Sequence, residues 1–150
     1  MYKGLFILPE ENFKKIYSPQ VRQNINELLD IYKPRIDKER VRKELSVLKK
    51  ADFIFSGWGC PRLDRDFLNA APNLKAVFYG SGSIKNLVTD EFWKRNIVVT
   101  SAWAANAVPV AEYTLSQIIF SLKRGWYYVL KTREEGEYPP KVEVPGAYGS

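Results

Sequence analysis

Asp52-Phe53-Ile54-Phe55, Leu74-Lys75-Ala76-Val77-Phe78-Tyr79 and Ile97-Val98-Val99-Thr100 are three short apolar runs within one stretch, residues 52–100. Each is short and rich in aromatic or β-branched residues, so each predicts a strand. The segments between them read as helices. Leu63 to Ala70 is a short helix whose acidic first turn includes Asp64, and Thr89 to Arg95 is another with Thr89 as its N-cap. Strand, helix, strand, helix, strand at this spacing predicts parallel pairing, because each chain reversal is made by a helix.

The pattern extends toward the N-terminus. Gly4-Leu5-Phe6-Ile7-Leu8 is a continuous apolar run ending at Pro9, as in a strand buried on both faces. Val21, Ile25, Leu28 and Leu29 recur at helical spacing through Val21 to Ile31. Ile31 to Ile36 contains Pro34, so a strand there is short and lies at an edge. Val41, Leu45 and Leu48 mark a second amphipathic helix ending near Lys50. With right-handed crossovers, five such strands give an α/β, flavodoxin-like, doubly wound parallel sheet of order 2-1-3-4-5. Residues 1–104 are assigned to it.

Residues 105–150 behave differently. Val108, Val110, Ala111, Leu115, Ile118, Ile119, Leu122, Trp126, Val129 and Leu130 form one long helical pattern, and Tyr113, Phe120, Tyr127 and Tyr128 fill much of its other side. A helix apolar most of the way round needs cover on several sides. The Val108–Leu130 helix is therefore expected to meet another domain or to build a homodimer. After Arg133 the chain turns polar and then Pro-rich, as a loop.

Composition narrows the chemistry. The 150 residues are 45% hydrophobic and 14% aromatic, enough for a core in one ordinary domain. Histidine is absent and Cys60 stands alone, which removes Ser-His-Asp and Cys-His nucleophile pairs, paired-His zinc motifs and internal disulfides. No metal-ligand spacing is present. The net charge of +6 is concentrated in residues 1–50, where alternations such as Lys38-Glu39-Arg40 read as a solvated helix face rather than a nucleic-acid surface. No run is long enough to span a bilayer and no signal peptide opens the chain, so a cytoplasmic protein is expected.

Two Gly-x-Gly turns fall at strand ends: Gly57-Trp58-Gly59 and Gly80-Ser81-Gly82. Ligands of open α/β sheets bind at the carboxyl edge, and glycine turns there can aim backbone N–H groups at an anion in a nest. Neither completes a dinucleotide fingerprint, since the sixth positions are Arg62 and Lys85. Cys60 reads as a small apolar filler beside Pro61 rather than a nucleophile.

Ala71-Pro72-Asn73-Leu74-Lys75, Gly80-Ser81-Gly82-Ser83, Trp93-Lys94-Arg95-Asn96-Ile97-Val98-Val99-Thr100 and Asn106-Ala107-Val108-Pro109-Val110-Ala111-Glu112-Tyr113-Thr114-Leu115 follow one another in order. This run resembles the N-terminal half of the D-isomer-specific 2-hydroxyacid dehydrogenases, which read there as AP-x-LK, a glycine turn, RGI-x-V, and an Asn followed by VAE and a long helix. The resemblance covers Ala51 to Arg124; residues 1–50 share only the strand–helix pattern. Two positions depart from it: Ile84 stands where an Asp is common, and Asn96 where Gly is usual.

The resemblance implies the substrate domain of an NAD- or NADP-dependent oxidoreductase acting on the CH–OH group of 2-hydroxy acids, with 2-oxo acids as the reduced substrates. It implies a carboxylate held by the amides of Ser81, Gly82 and Ser83, Trp58 and Gly59 lining the cleft, Asn106 facing it, and Val110 near the nicotinamide. The catalytic Arg, Glu and His and the cofactor's Rossmann domain would lie beyond Ser150. This chain would then hold no catalytic residue and be inactive alone. The alternative is a free-standing flavodoxin-like module that binds a small anion or a partner protein.

Overall fold

The computed structural model describes residues 1–142. The chain divides into two compact units, the first Met1–Ala105 and the second beginning at Asn106.

In the first unit, β1 (Lys3–Ile7), β2 (Asp30–Ile31), β3 (Phe53–Ser56), β4 (Ala76–Tyr79) and β5 (Val98–Ser101) form one sheet of order β2-β1-β3-β4-β5. All pairs are parallel, with Leu5 beside Ile54, Ile54 beside Val77 and Val77 beside Val99. The connections carry α1 (Glu10–Ile16), α2 (Pro19–Leu28), α3 (Lys38–Lys43), a 3₁₀ segment (Leu45–Lys50), α4 (Arg65–Ala70) and α5 (Asp90–Trp93). This is the flavodoxin-like doubly wound order. The two-residue side-chain period sorts the core onto two faces. Leu5, Ile7, Ile54 and Val77 pack with Phe67, Leu68 and Phe92 on one side. Phe6, Leu8 and Phe55 pack with Tyr17 and Leu29 on the other.

Several elements are shorter than their sequence patterns imply. The helix read from Val21 to Ile31 ends at Leu28, because Leu29 turns extended and Asp30–Ile31 pairs with β1. Of the strand read over Ile31–Ile36, only β2 and a single bridge between Ile7 and Ile36 remain, as Pro34 lacks a donor for the ladder. The helix read from Val41 to Lys50 breaks at Glu44, whose N–H closes α3 onto the Arg40 and Val41 carbonyls before the 3₁₀ turn begins. One helix, α1, carries too few apolar positions to stand out from its sequence.

Caps fix the remaining ends. Thr89 accepts from the Phe92 N–H, as expected of an N-cap. Asp64 lies one place before the first turn and is itself the N-cap of α4, accepting from Phe67 N–H (3.1 Å). Arg42 grips the same carboxylate through both terminal nitrogens, at 2.9 and 2.7 Å. That guanidinium, with the Phe67 amide, holds the Asp64 carboxyl below its ordinary range against the opposing effect of burial. A lowered folded value means the stabilisation is complete above the unfolded value near pH 4 and is lost as pH falls through the folded one. Asp64→Asn keeps a capping oxygen and removes the charge. The variant is expected to be about 1 kcal/mol or less below wild type at pH 7, with the gap closing in denaturant titrations at acid pH.

Asn96 explains its own departure from the family pattern. Its φ is +54°, in the left-handed region between α5 and β5. Glycine enters that region freely and asparagine with little strain, whereas β-branched residues do not. Asn96→Gly is expected to unfold within about 0.5 kcal/mol of wild type, and Asn96→Val about 1–2 kcal/mol earlier, by urea denaturation.

The second unit corrects the expectation of one helix over Val108–Leu130. α6 (Trp103–Leu122) ends, Arg124 takes φ +57°, and α7 (Gly125–Glu135) begins. A Cβ at Gly125 would lie 2.4 Å from the Phe120 ring, and Phe120 stacks edge-on with Trp126 across the break (5.2 Å). The four-residue spacing from Leu122 to Trp126 carries the apolar pattern across Lys123-Arg124-Gly125, where the Phe120–Trp126 ring pair spans the break. No residue of α6 or α7 is buried.

Candidate functional site

The carboxyl ends of β3, β4 and β5 lead into the two glycine turns and into Ser101. In this strand order the crevice at the carboxyl edge opens where the order reverses, between β1 and β3. Here α1 fills it. The Pro9 ring would meet a Cβ on Gly59 at 2.4 Å, and Asn12 donates to the Trp58 carbonyl (2.9 Å). Ile16 lies against both turns, with its methyl carbons 2.2 and 2.3 Å from where a Cβ would stand on Gly57 and Gly80. Below it, the buried Tyr17 hydroxyl donates to the carbonyls of Ser56 (2.8 Å) and Phe78 (3.2 Å). Burial pushes the Tyr17 hydroxyl well above its usual range, so it keeps the proton it donates.

The turns are latched to each other. Trp58 N–H donates to Ser81 Oγ (3.1 Å). The Ser81 carbonyl accepts from Ser101 Oγ and from Ala102 N–H, both at 3.0 Å, and Ser101 Oγ also donates to the Gly82 carbonyl. Ser81 is buried and acts as the latch. Gly82 is half-buried and Ser83 exposed, and their amide N–H groups donate to no acceptor among the described residues. Positive φ occurs at Gly59 and not at Gly80 or Gly82, so the glycines of Gly57 and Gly80 serve close packing against Ile16.

Trp58, Gly59, Ser81, Gly82 and Ser83 therefore share one edge of the first unit. Asn106 and Val110 belong to the second unit, one turn apart on α6, with Asn106 half-buried and Val110 exposed. Ile84, in place of the family's Asp, packs against the core and its carbonyl caps the amides of Leu87 and Val88. Sequence reasoning missed Ser101, Asn12 and Ile16. Of these, only the place of Ser101 at a strand's carboxyl end was a usable signal. Cys60 packs against the core, and burial pushes its thiol up to about 12, which rules out a ready thiolate.

A dinucleotide needs a glycine turn that opens directly onto a helix N-terminus. Here Gly59 is followed by a loop to Arg65, and Gly82 by a loop to Asp90. The described residues do not fit that cofactor. Among them, no group of three or more Cys, Asp or Glu is placed to hold a metal ion, and no helix is long and apolar enough to cross a membrane.

The family model for the D-isomer specific 2-hydroxyacid dehydrogenase, catalytic domain, matches residues 13–142. The chain belongs to this family. It is 37% identical over 78 residues to the (S)-sulfolactate dehydrogenase of Chromohalobacter salexigens, a match covering 52% of this chain and 25% of that protein. Among solved structures it resembles D-lactate dehydrogenase from Aquifex aeolicus, complexed with NAD and lactic acid, with a TM-score of 0.64 at 22% identity. That match covers 94% of this chain and 40% of the other. It also resembles the NAD-dependent formate dehydrogenase of Staphylococcus aureus in complex with NAD, with a TM-score of 0.62 at 23% identity over 91% and 42% of the two chains. At these identities the two structures share the fold. The chain spans less than half the length of each of these relatives.

Proposed function

We propose that this chain is the substrate-recognition portion of an NAD- or NADP-dependent oxidoreductase that interconverts 2-hydroxy and 2-oxo acids. The observation that carries this reading is the latched turn at the end of β4. Its Gly82 and Ser83 amides have donors to spare, while Trp58, Ser81 and Ser101 fix the backbone that carries them. Two N–H groups on a backbone held this way stabilise a carboxylate without reorganising. Trp58, half exposed beside the turn, and Gly59 then bound the side of the acid away from the carboxylate.

Asn106 and Val110 enter this reading from the family pattern, as a substrate contact and a nicotinamide neighbour. In this reading the dinucleotide is held by residues other than those described, and proton exchange with the substrate oxygen falls to a histidine that residues 1–150 do not include. The reading includes a cytoplasmic setting, which one unpaired cysteine fits.

The test is an NMR titration with pyruvate. Saturable shifts at Gly82 and Ser83 are expected, with a dissociation constant of about 1 mM, because nothing here closes the site to water. Silent Gly82 and Ser83 amides would overturn the assignment. The same preparation is expected to show no NADH-dependent reduction of pyruvate; turnover that copurifies with the chain would show that it carries its own acid–base and cofactor groups.

A further inference from the structure

A second site lies on the Phe6 face of the first unit, apart from the glycine turns. One face of α2 from Pro19 to Glu27, the side of α1, Phe6 of β1 and the chain from Ile31 to Arg35 line an open cavity of about 550 Å³. Phe6, Phe13, Ile31 and Pro34 give it apolar walls, and Arg22 and Arg35 give it two guanidinium groups. The volume is that of a small-molecule site, and mostly apolar walls with a few polar groups are the usual make-up of one.

The two arginines differ in what they have left to offer. Arg35 is committed: its Nε donates to Glu10 Oε2 and its Nη1 to the Leu8 carbonyl, both at 2.8 Å. Arg22 is not. Its guanidinium lies over the Phe13 ring, 4.8 Å from the centroid, an attraction that holds the group against the wall. Its Nε is buried and meets no acceptor among the described residues. A buried N–H left unpaired is disfavoured, and in a native structure it calls for a partner. Glu27, further along α2, accepts from Gln23 (3.2 Å) and lines the same cavity.

We propose that this cavity binds a monocarboxylate with a flat or branched apolar body. The acid group takes the Arg22 guanidinium, and the body lies between Phe6, Phe13, Ile31 and Pro34. The substrate turn lies at the ends of β3 and β4, whereas this cavity is built on α1, α2 and the chain after β2, so the two sites share no residue. The match is chemical: a planar cation with spare donors pairs best with a carboxylate, and the aromatic wall behind it accepts a ring or a branched chain.

The test is a titration of the full chain with phenylacetate, read on the Arg22 Nε–H and on the Phe13 and Ile31 amides. Saturable shifts at all three are expected, with benzyl alcohol binding at least about tenfold more weakly. Arg22→Gln is expected to weaken phenylacetate by about tenfold or more while leaving the amide spectrum dispersed and the pyruvate response of Gly82 and Ser83 unchanged. Shifts confined to Gly82 and Ser83 would overturn this site and leave the substrate reading standing. Equal affinity for the Arg22→Gln variant, or no saturable shift up to about 50 mM, would overturn it as well.

Discussion

Gly57→Ala and Gly80→Ala are each expected to destabilise the protein by about 1–3 kcal/mol, and the double variant by less than their sum. The cause is spatial. Neither glycine has positive φ, so alanine is sterically acceptable to the backbone itself. The new Cβ at each position would meet the same side chain, Ile16, at 2.2 and 2.3 Å. One displaced Ile16 relieves both contacts, which makes the costs sub-additive. The sign should reverse in an Ile16→Ala background. There the Ile16 contact is gone, and alanine's smaller unfolded-state entropy is expected to make Gly80→Ala neutral or stabilising by about 0.4–1 kcal/mol, with a smaller gain for Gly57→Ala, whose Cβ still meets Ser81 Oγ at 3.2 Å. Gly57→Ala carries an added consequence, because its Cβ would lie 3.2 Å from Ser81 Oγ, the acceptor that latches the turns. It should weaken pyruvate binding at Gly82 and Ser83 more than Gly80→Ala does. Urea denaturation of the six variants measures the first effect, and the titration measures the second. Single variants indistinguishable from wild type would show that Ile16 moves aside freely and does not position the site.

The strands were legible because each is written twice. Phe53-Ile54-Phe55 and Ala76-Val77-Phe78 are apolar throughout, and the turn residues Gly57 and Gly80 stop them at their carboxyl ends. Once five such runs alternate with helices, right-handed crossovers leave little choice of order. Helix limits were less legible because caps and tertiary contacts set them. Glu44 ends α3 with an ordinary backbone turn that no glycine or proline announces. Gly125 was visible, but a glycine in a helical pattern is tolerated often enough to be ambiguous. What decides it is the Phe120 ring lying where a side chain would stand.

The site was half legible. Its turns could be found from glycine spacing and their common edge from topology. Their division of labour could not. Ser81 and Ser83 are the same residue type two places apart, yet one is buried as a latch and the other faces solvent. That difference comes from Ser101 and Trp58, which are distant in sequence and meet the turn only through the parallel register of β3, β4 and β5. The same holds for Arg22. Arg35 pairs with Glu10 while Arg22 lies over Phe13, an allotment made by how α1 packs against α2 and the chain after β2.

The wild-type chain is expected to sediment as a dimer at about 10 μM, built on α6 and α7, and Ile118→Asp with Leu122→Asp is expected to return it to a monomer. Tyr113, Ile118, Ile119, Leu122, Trp126 and Leu130 each leave half or more of their surface exposed. Tyr113, Thr114, Gln117, Ile118, Ser121 and Leu122 border an open hollow of about 490 Å³ along α6. Soluble monomers rarely keep apolar patches beyond about 300–600 Å² in water. A second copy laid on these helices would cover about 800 Å² per chain, which at about 25 cal/mol per Å² outweighs a moderate association cost. Ile118 and Leu122 lie one turn apart on the same face, so two aspartates there put two unpaired carboxylates into the centre of the contact. The core clusters of the first unit include neither Ile118 nor Leu122, so its core residues should keep their hydrogen-exchange protection in the variant. A wild type that stays monomeric at about 100 μM would overturn the dimer, and an Asp variant that still pairs would move the contact away from this face of α6.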